Sequence, residues 1–266
     1  MKKRILAALL VFVALLTGCS RKETTGQWPS QKIEIDVCYT AGGTADTVAR
    51  QLSALMSQQL STTFNLVNVT GGSGSIAGQQ VYAAAHDGYT WLGDVAHTVS
   101  GWRTLGYADL GWEDFYGFYA ASSPYVLFVS GNSPYQTAQQ LFDAMRGDPS
   151  MKWGNAGLGS INQLTGSLML EKLGLKGNSV PYDGGRSAAI KVVAGEVTWS
   201  WCGLSDILDL AQSGDIRILG ICDSSPREID CAKGNYTVPS LLDDYPELSD
   251  LQGLLYWGFR VSRDTP

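Results

Sequence analysis

The chain has 266 residues, 44% of them hydrophobic, with 19 basic and 25 acidic side chains and a formal charge of −6. That length suffices for a packed core and for two lobes, and the acidic balance argues against nucleic acid as a partner. Only two histidines and five cysteines occur, and no C-x-x-C pair is present, so neither a metal centre nor a histidine-based catalyst is favoured.

The N-terminus reads as an export signal. Lys2, Lys3 and Arg4 precede an apolar run from Ile5 to Leu16, which is too short to span a bilayer comfortably. Leu16-Thr17-Gly18-Cys19 then places small residues before a cysteine, as in bacterial lipoprotein signals, where the cysteine is lipidated and becomes the new N-terminus. An ordinary signal peptide with a chance cysteine is the alternative. The expectation is a leader over 1–18, a lipidated Cys19 and a polar tether over 19–27. The protein would then be extracytoplasmic, anchored to the cell membrane by lipid. Loss of the leader leaves 248 residues and removes three positive charges, taking −6 to −9. Nothing after Leu16 is apolar for long enough to cross a membrane. Of the remaining cysteines, Cys38, Cys202, Cys222 and Cys231, free and mostly buried thiols are expected, with a Cys222–Cys231 bridge as the alternative the compartment would permit.

Residues 33–38 alternate apolar and polar and predict a strand. Residues 45–60 carry Val48, Leu52, Leu55, Met56 and Leu60 at helical spacing. A strand over 64–69, a helix over 75–85 with Ile76, Gln80 and Ala83–Ala84 behind it, and a strand from 90 follow. This β-loop-α order implies parallel strands with right-handed crossovers. The stretch 95–112 is irregular, and strands are predicted at 115–120 and 125–130. Thr137 caps a predicted helix that Gly147 and Pro149 end. Strands at 152–155, 179–182, 197–201 and 216–222 alternate with helices at 161–173, 187–194 and 204–212. The expected fold is α/β and two-lobed, each lobe a mainly parallel sheet flanked by helices. The lobes are 28–123 plus 223–266, and 124–222, with hinges near Ser122–Pro124 and Cys222–Pro226.

Four glycine clusters stand where a strand hands over to a helix: Tyr39-Thr40-Ala41-Gly42-Gly43-Thr44-Ala45-Asp46, Gly71 to Ser75, Asn155-Ala156-Gly157-Leu158-Gly159-Ser160, and Tyr182-Asp183-Gly184-Gly185-Arg186-Ser187. Glycine lets backbone approach a ligand, and a helix N-terminus offers unpaired N–H groups to an anion. Open α/β sheets bind ligands at the carboxyl ends of their strands. Tight turns alone are the alternative. Asp46 is either a capping acid or a cleft residue. His97 follows a strand and has a place facing the cleft among its options, whereas His86 precedes a turn and reads as exposed. No G-x-G-x-x-G, Gly-Lys-Ser/Thr or G-x-S-x-G motif occurs, so no cofactor and no enzymatic chemistry is expected.

An ordered set of motifs resembles the tripartite tricarboxylate transporter substrate-binding proteins, the Bug or TctC-type receptors. The set runs through Trp28-Pro29, Ala41-Gly42-Gly43 with Asp46 and Ala49-Arg50, Asn68 and Gly71 to Gly78, and Asp87-Gly88-Tyr89-Thr90. It continues through Ala156 to Ser160, Val180-Pro181-Tyr182 with Gly184-Gly185, Ala194-Gly195-Glu196-Val197, and Ser213 to Arg217. The resemblance implies a periplasmic-binding-protein-like Venus flytrap, monomeric, that delivers a small organic carboxylate to a large and a small permease subunit. It implies ligand contacts at Tyr39, Thr40, Ala41, Gly42, Gly43, Thr44 and Asp46 in the first lobe. In the second it implies Ala156, Gly157, Gly159, Ser160, Gln163, Tyr182, Gly184 and Gly185. Thr40 replaces a usual proline, Gln163 a frequent histidine and Asp183 a common lysine; these departures bear on the substrate more than on the function. Tyr256 to Pro266 matches a segment that family members follow with further helices. A sensory or scaffold subunit using the same cleft is the alternative from another class.

Overall fold

In the computed structural model, residues 28–231, 234–253 and 255–266 are described; the expected leader, Cys19 and tether lie outside them. The chain divides into Met1–Ser30 and Gln31–Pro266, and all the elements below belong to the second unit. Among the described residues no helix is long and apolar enough to cross a membrane.

Ile33, Ile35 and Val37 of β1 (Ile33–Val37) are fully buried, because β1 is the inner strand between β2 (Phe64–Asn68) and β3 (Thr90–Val95). Helix α1 (Thr44–Leu60) packs on these strands through a face of Ala45, Ala49 and Ser53, flanked by the half-buried Val48, Leu52 and Met56. Leu55, predicted in that stripe, instead faces solvent at 63% exposure. Small residues let the helix lie close to the sheet, and Leu55 falls on the flank of the contact. Helix α2 (Ser75–Ala83) likewise buries Ala77, Gly78 and Val81, while Ile76 is exposed. The reason is Trp102, whose indole lies directly against Gly78 where a side chain would stand.

The irregular stretch before β4 (Phe115–Ser122) folds as short 3-10 turns at Thr98–Gly101 and Trp112–Asp114. The fully buried Trp102 donates its Nε1–H to Ser73 O at 3.1 Å, tying this stretch to the second glycine cluster.

The chain then crosses to a second sheet: β5 (Tyr125–Ser130), α3 (Ala138–Gly147), β6 (Lys152–Asn155), α4 (Ile161–Lys172), β7 (Asn178–Pro181), α5 (Gly185–Val193), β8 (Trp199–Gly203), α6 (Leu204–Ser213) and β9 (Ile216–Cys222). A short hairpin of β10 (Arg227–Ile229) and β11 (Tyr236–Val238) follows, then α7 (Leu241–Asp244) and β12 (Tyr256–Ser262). Ile229 and Val238 join the core of the second sheet, and Leu248 packs there too. Residues 223–231 and 234–251 therefore lie on that sheet, and it is β12 that returns to the first.

The sheet orders are β2-β1-β3-β12-β4 and β7-β6-β8-β5-β9. In each, a single strand is reversed: β12 is antiparallel to β3 and β4, and β5 to β8 and β9. The other four run one way, as the crossover pattern implies. Both reversed strands are the ones that enter by crossing from the other sheet. Cys38, Cys202, Cys222 and Cys231 are free thiols, the first three buried.

Candidate functional site

The carboxyl end of β1 runs into the loop that opens α1. Gly42 sits at φ +76° and is exposed, so glycine is required for its conformation. Asp46 lies beneath this loop and is buried. Its carboxylate accepts from Gly42 N–H at 3.0 Å, Arg50 Nε and Nη2 at 2.9 and 2.8 Å, and Asn68 Nδ2 at 3.0 Å. Asn68 also donates to Tyr39 O at 3.0 Å. Burial pushes the Asp46 carboxyl upward, but Arg50, Gly42 and Asn68 together outweigh it and hold the carboxyl below its ordinary value. Its acceptor positions are spent on shaping the loop.

The corresponding loop of the second sheet is organised by Asn155, 1% exposed, whose side chain accepts from Gly157 N–H at 3.0 Å and donates to Val180 O and Ser179 Oγ. Ser160 Oγ caps α4 by accepting from Gln163 N–H at 3.2 Å. Gln163 folds back, its Oε1 accepting from Gly159 N–H and its Nε2 donating to Ser167 Oγ.

The loops of the two sheets touch directly. Thr40 donates both its N–H (3.2 Å) and its Oγ1–H (2.7 Å) to Asp183 O, and its Oγ1 lies 2.8 Å from Ser187 Oγ. Ser73, with φ +50°, donates its Oγ–H to Leu158 O at 2.6 Å. Gly101 has no room for a side chain, since an added Cβ would stand 2.8 Å from Gly159 O. The contact uses the side chain and N–H of residue 40 but only the main-chain oxygen of Asp183, and a proline at 40 has neither of the donors it uses.

Two cavities flank this contact. The larger, about 590 Å³, is bounded by Tyr39, the Gly71–Gly74 turn and Tyr107 on one side. Gly157, Leu158, Tyr182, Ser187 and Lys191 bound it on the other. The smaller, about 20 Å³, lies between Tyr39, Thr40, Gly43 and Thr44 on one wall and Ala156, Asn162, Gly184, Gly185, Arg186 and Asp206 on the other. Of the residues singled out in the sequence, Tyr39, Thr40, Gly43, Thr44, Ala156, Gly157, Tyr182, Gly184 and Gly185 line one or both cavities. Ala41, Gly42, Asp46, Gly159, Ser160 and Gln163 do not; they build the loops behind the walls. The sequence reading missed Asn162, Arg186 and Asp206. Arg186 looks like an ordinary surface cation, and it does pair with Asp209. Asp206 reads as an acid in the first turn of a helix.

The histidines stand apart from both cavities. His86 is half-buried, not exposed as its turn suggested, because the ring packs on Tyr82 and Nε2 lies 2.8 Å from Tyr82 O. His97 packs edge-on against Trp112, and burial, aided by Arg260, lowers its pKa. A third cavity of about 530 Å³ lies outside the second sheet near α3, α6 and the β10–β11 hairpin. Arg217 in its lining donates to the carbonyls of Ser133 and Tyr135, and the β5–α3 connection contributes Gly131 and Thr137; none of the four glycine clusters lines it.

Two α/β sheets with opposed strand-end loops have the architecture of a periplasmic binding protein. The chain belongs to the tripartite tricarboxylate transporter receptor family, whose pattern matches residues 48–229. It is 29% identical over 201 residues to a UPF0065 protein of Pseudomonas sp. (strain P51), covering 74% of this chain and 59% of that one. The chain thus spans under two thirds of that relative's length. It is 25% identical over 228 residues to protein BugT of Bordetella pertussis, covering 83% and 69% of the two chains. A Rhodopseudomonas palustris protein solved with adipate superposes with a TM-score of 0.77 at 25% identity, over 90% of this chain and 79% of that one. MatC from Rhodopseudomonas palustris, solved with malate, superposes at 0.78 with 21% identity, over 90% and 80%.

Proposed function

We propose that this chain is an extracytoplasmic receptor that captures a small organic carboxylate between its two sheets and hands it to a membrane permease of one large and one small subunit. The observation that carries this is the meeting of four strand-to-helix loops at one cleft, with hydroxyls from Tyr39, Thr40, Tyr182 and Ser187 and a lysine, Lys191, around it. Glycine-rich loops at helix starts suit an anion, so an acidic protein holds one by local dipoles and hydroxyls rather than by net charge. Adipate and malate on structural relatives make dicarboxylates the first compounds to try. Lipidation at Cys19 would keep the receptor beside its permease. Binding is followed by closure of the two halves about the β4–β5 and β9–β12 connections, and no chemistry on the ligand is proposed.

The test is a thermal-shift screen of the full chain against di- and tricarboxylates, aromatic acids and amino acids. A ligand at a hundred times its Kd stabilises by about 2.7 kcal/mol, which is several degrees. At least one carboxylate is expected to raise Tm and the matching neutral amide to leave it unchanged. No shift with any carboxylate would overturn the reading. Membrane association is checked separately: Cys19→Ser is expected to release the protein from membranes.

A further inference from the structure

The amide that opens helix α1 at the cleft already has an anion on it, and that anion belongs to the protein. Thr44 N–H donates to Asp206 Oδ1 at 2.7 Å. Thr44 Oγ1 lies 2.8 Å from the same oxygen and 2.8 Å from Ser205 Oγ. Asp206 stands in the first turn of α6 on the second sheet, 162 residues away in sequence, and is 8% exposed. Its carboxylate is fitted between two glycines from opposite walls. A Cβ on Gly43 would lie 3.4 Å from Oδ1, and one on Gly185 would lie 2.6 Å from Oδ2. The cavity beside it holds about 20 Å³, above the roughly 10–15 Å³ that one water needs, so it has room for about one water and none for a dicarboxylate. The neighbouring cation, Arg186, is held by the Asp209 carboxylate and donates to the main-chain oxygen of Asp206 rather than to its side chain.

We propose that Asp206 is an autoinhibitory latch: an internal carboxylate that takes the anion position at the start of α1, holds the two sheets together, and must be displaced before a ligand carboxylate reaches Thr44. This rests on the receptor reading above. The latch is tethered to its site, so its effective concentration is high. Affinity for an external carboxylate falls by the fraction of molecules unlatched, about tenfold for a latch engaged nine times in ten. Asp206 therefore sets both how tightly and which compounds bind. A ligand must bring its own carboxylate to Thr44, because a neutral group does not replace the charge it expels.

The test uses the full chain with Asp206→Ala and Asp206→Asn, each checked for folding by circular dichroism. Two measurements are made: the radius of gyration by small-angle scattering in ligand-free buffer, and calorimetric titration with malate and with adipate. Asp206→Ala is expected to expand and to bind whichever probe the wild type binds about tenfold more tightly. Asp206→Asn, which keeps an acceptor for Thr44 without the charge, is expected to fall between. If Asp206→Ala does not fold, Thr44→Val removes the Oγ1 half of the contact while the Thr44 N–H bond stays, and it should expand to a lesser degree. An unchanged radius and affinity in every folded variant would overturn the latch. So would a tenfold loss of affinity, which would make Asp206 a ligand contact. Expansion without carboxylate binding by any form leaves the latch standing and removes the carboxylate reading instead.

Discussion

The two sheets share a strand order and one reversed strand each, yet they are held together by different forces. The first is crossed by a buried ion pair: Arg260 on β12 donates from Nε to Asp94 on β3 at 2.6 Å, and both are at most 1% exposed. The guanidinium also bonds Ala96 O and lies over the rings of Trp112 and Tyr119, at 4.5 and 5.4 Å from their centroids. The second sheet is welded by stacked aromatics, Trp153 on Trp199 and Tyr125 on Trp201, each with centroids 5.1 Å apart and planes 12° from parallel. The same topology therefore leaves open how its reversed strand is fastened. The first half carries an orienting charge pair between strands joined late in the sequence, and the second carries apolar area.

Substitutions separate these two modes. Asp94→Ala strands Arg260 in the core and should cost roughly 3–5 kcal/mol. Trp199→Ala should cost a similar amount, about 3–5 kcal/mol, through the cavity it leaves. Denaturant titration at several pH values tells them apart. Burial pushes the Asp94 carboxyl up to about 6, outweighing the pull of Arg260. Its folded state holds a proton more tightly than the unfolded chain, so its favourable contribution is complete below pH 3.8 and lost as pH rises through about 6. The stability of wild type relative to Asp94→Asn should rise as pH falls through that window, and Trp199→Ala should show no such trend relative to wild type.

Asp46 has the opposite sign. Its folded pKa is depressed below 3.8, so its contribution is present above that value and lost as pH falls through the lower one. Asp46→Ala should cost about 1–3 kcal/mol by orphaning the Gly42 and Asn68 donors, with the loss shrinking in acid below pH 4. The smallest effect is at the helix caps of the second half. Thr137 and Ser160 each accept one amide at 3.2 Å, and Thr137→Ala or Ser160→Ala should lose about 1 kcal/mol. Thr137→Ala should leave ligand affinity untouched, since it lies far from the cleft loops in the fold.

Much of the fold was legible because local signals agreed. Thr137 before an amphipathic run, Gly147 and Pro149 after it, and the alternation from residue 33 all specify elements that the structure contains. The helix faces at Leu55 and Ile76 were misread because periodicity finds apolar residues and cannot see that alanine and glycine are the ones pressed against the sheet. Trp102 over Gly78 is a contact across 24 positions that no local pattern encodes. The glycine loops of the site were visible for the same reason the elements were, since each sits at a strand-to-helix junction. Their mutual contact was not, because Thr40 meets Asp183 through a main-chain oxygen. Asp206 was invisible as a partner of Thr44, since an acid in a helix's first turn has a sufficient local explanation.

The central claim is that the loops at the ends of both sheets form one carboxylate cleft, and Gly43 tests it most directly. Gly43 has an ordinary φ of −77°, so valine fits its backbone while placing a side chain between Thr40 O and Asp206 Oδ1, 3.2 and 3.4 Å from its Cβ. Calorimetric titration of wild type and Gly43→Val with the carboxylate found by the thermal screen should show binding to the first and a loss of about tenfold or more in the second, about 1.4 kcal/mol. Equal affinity in the two proteins would contradict the account.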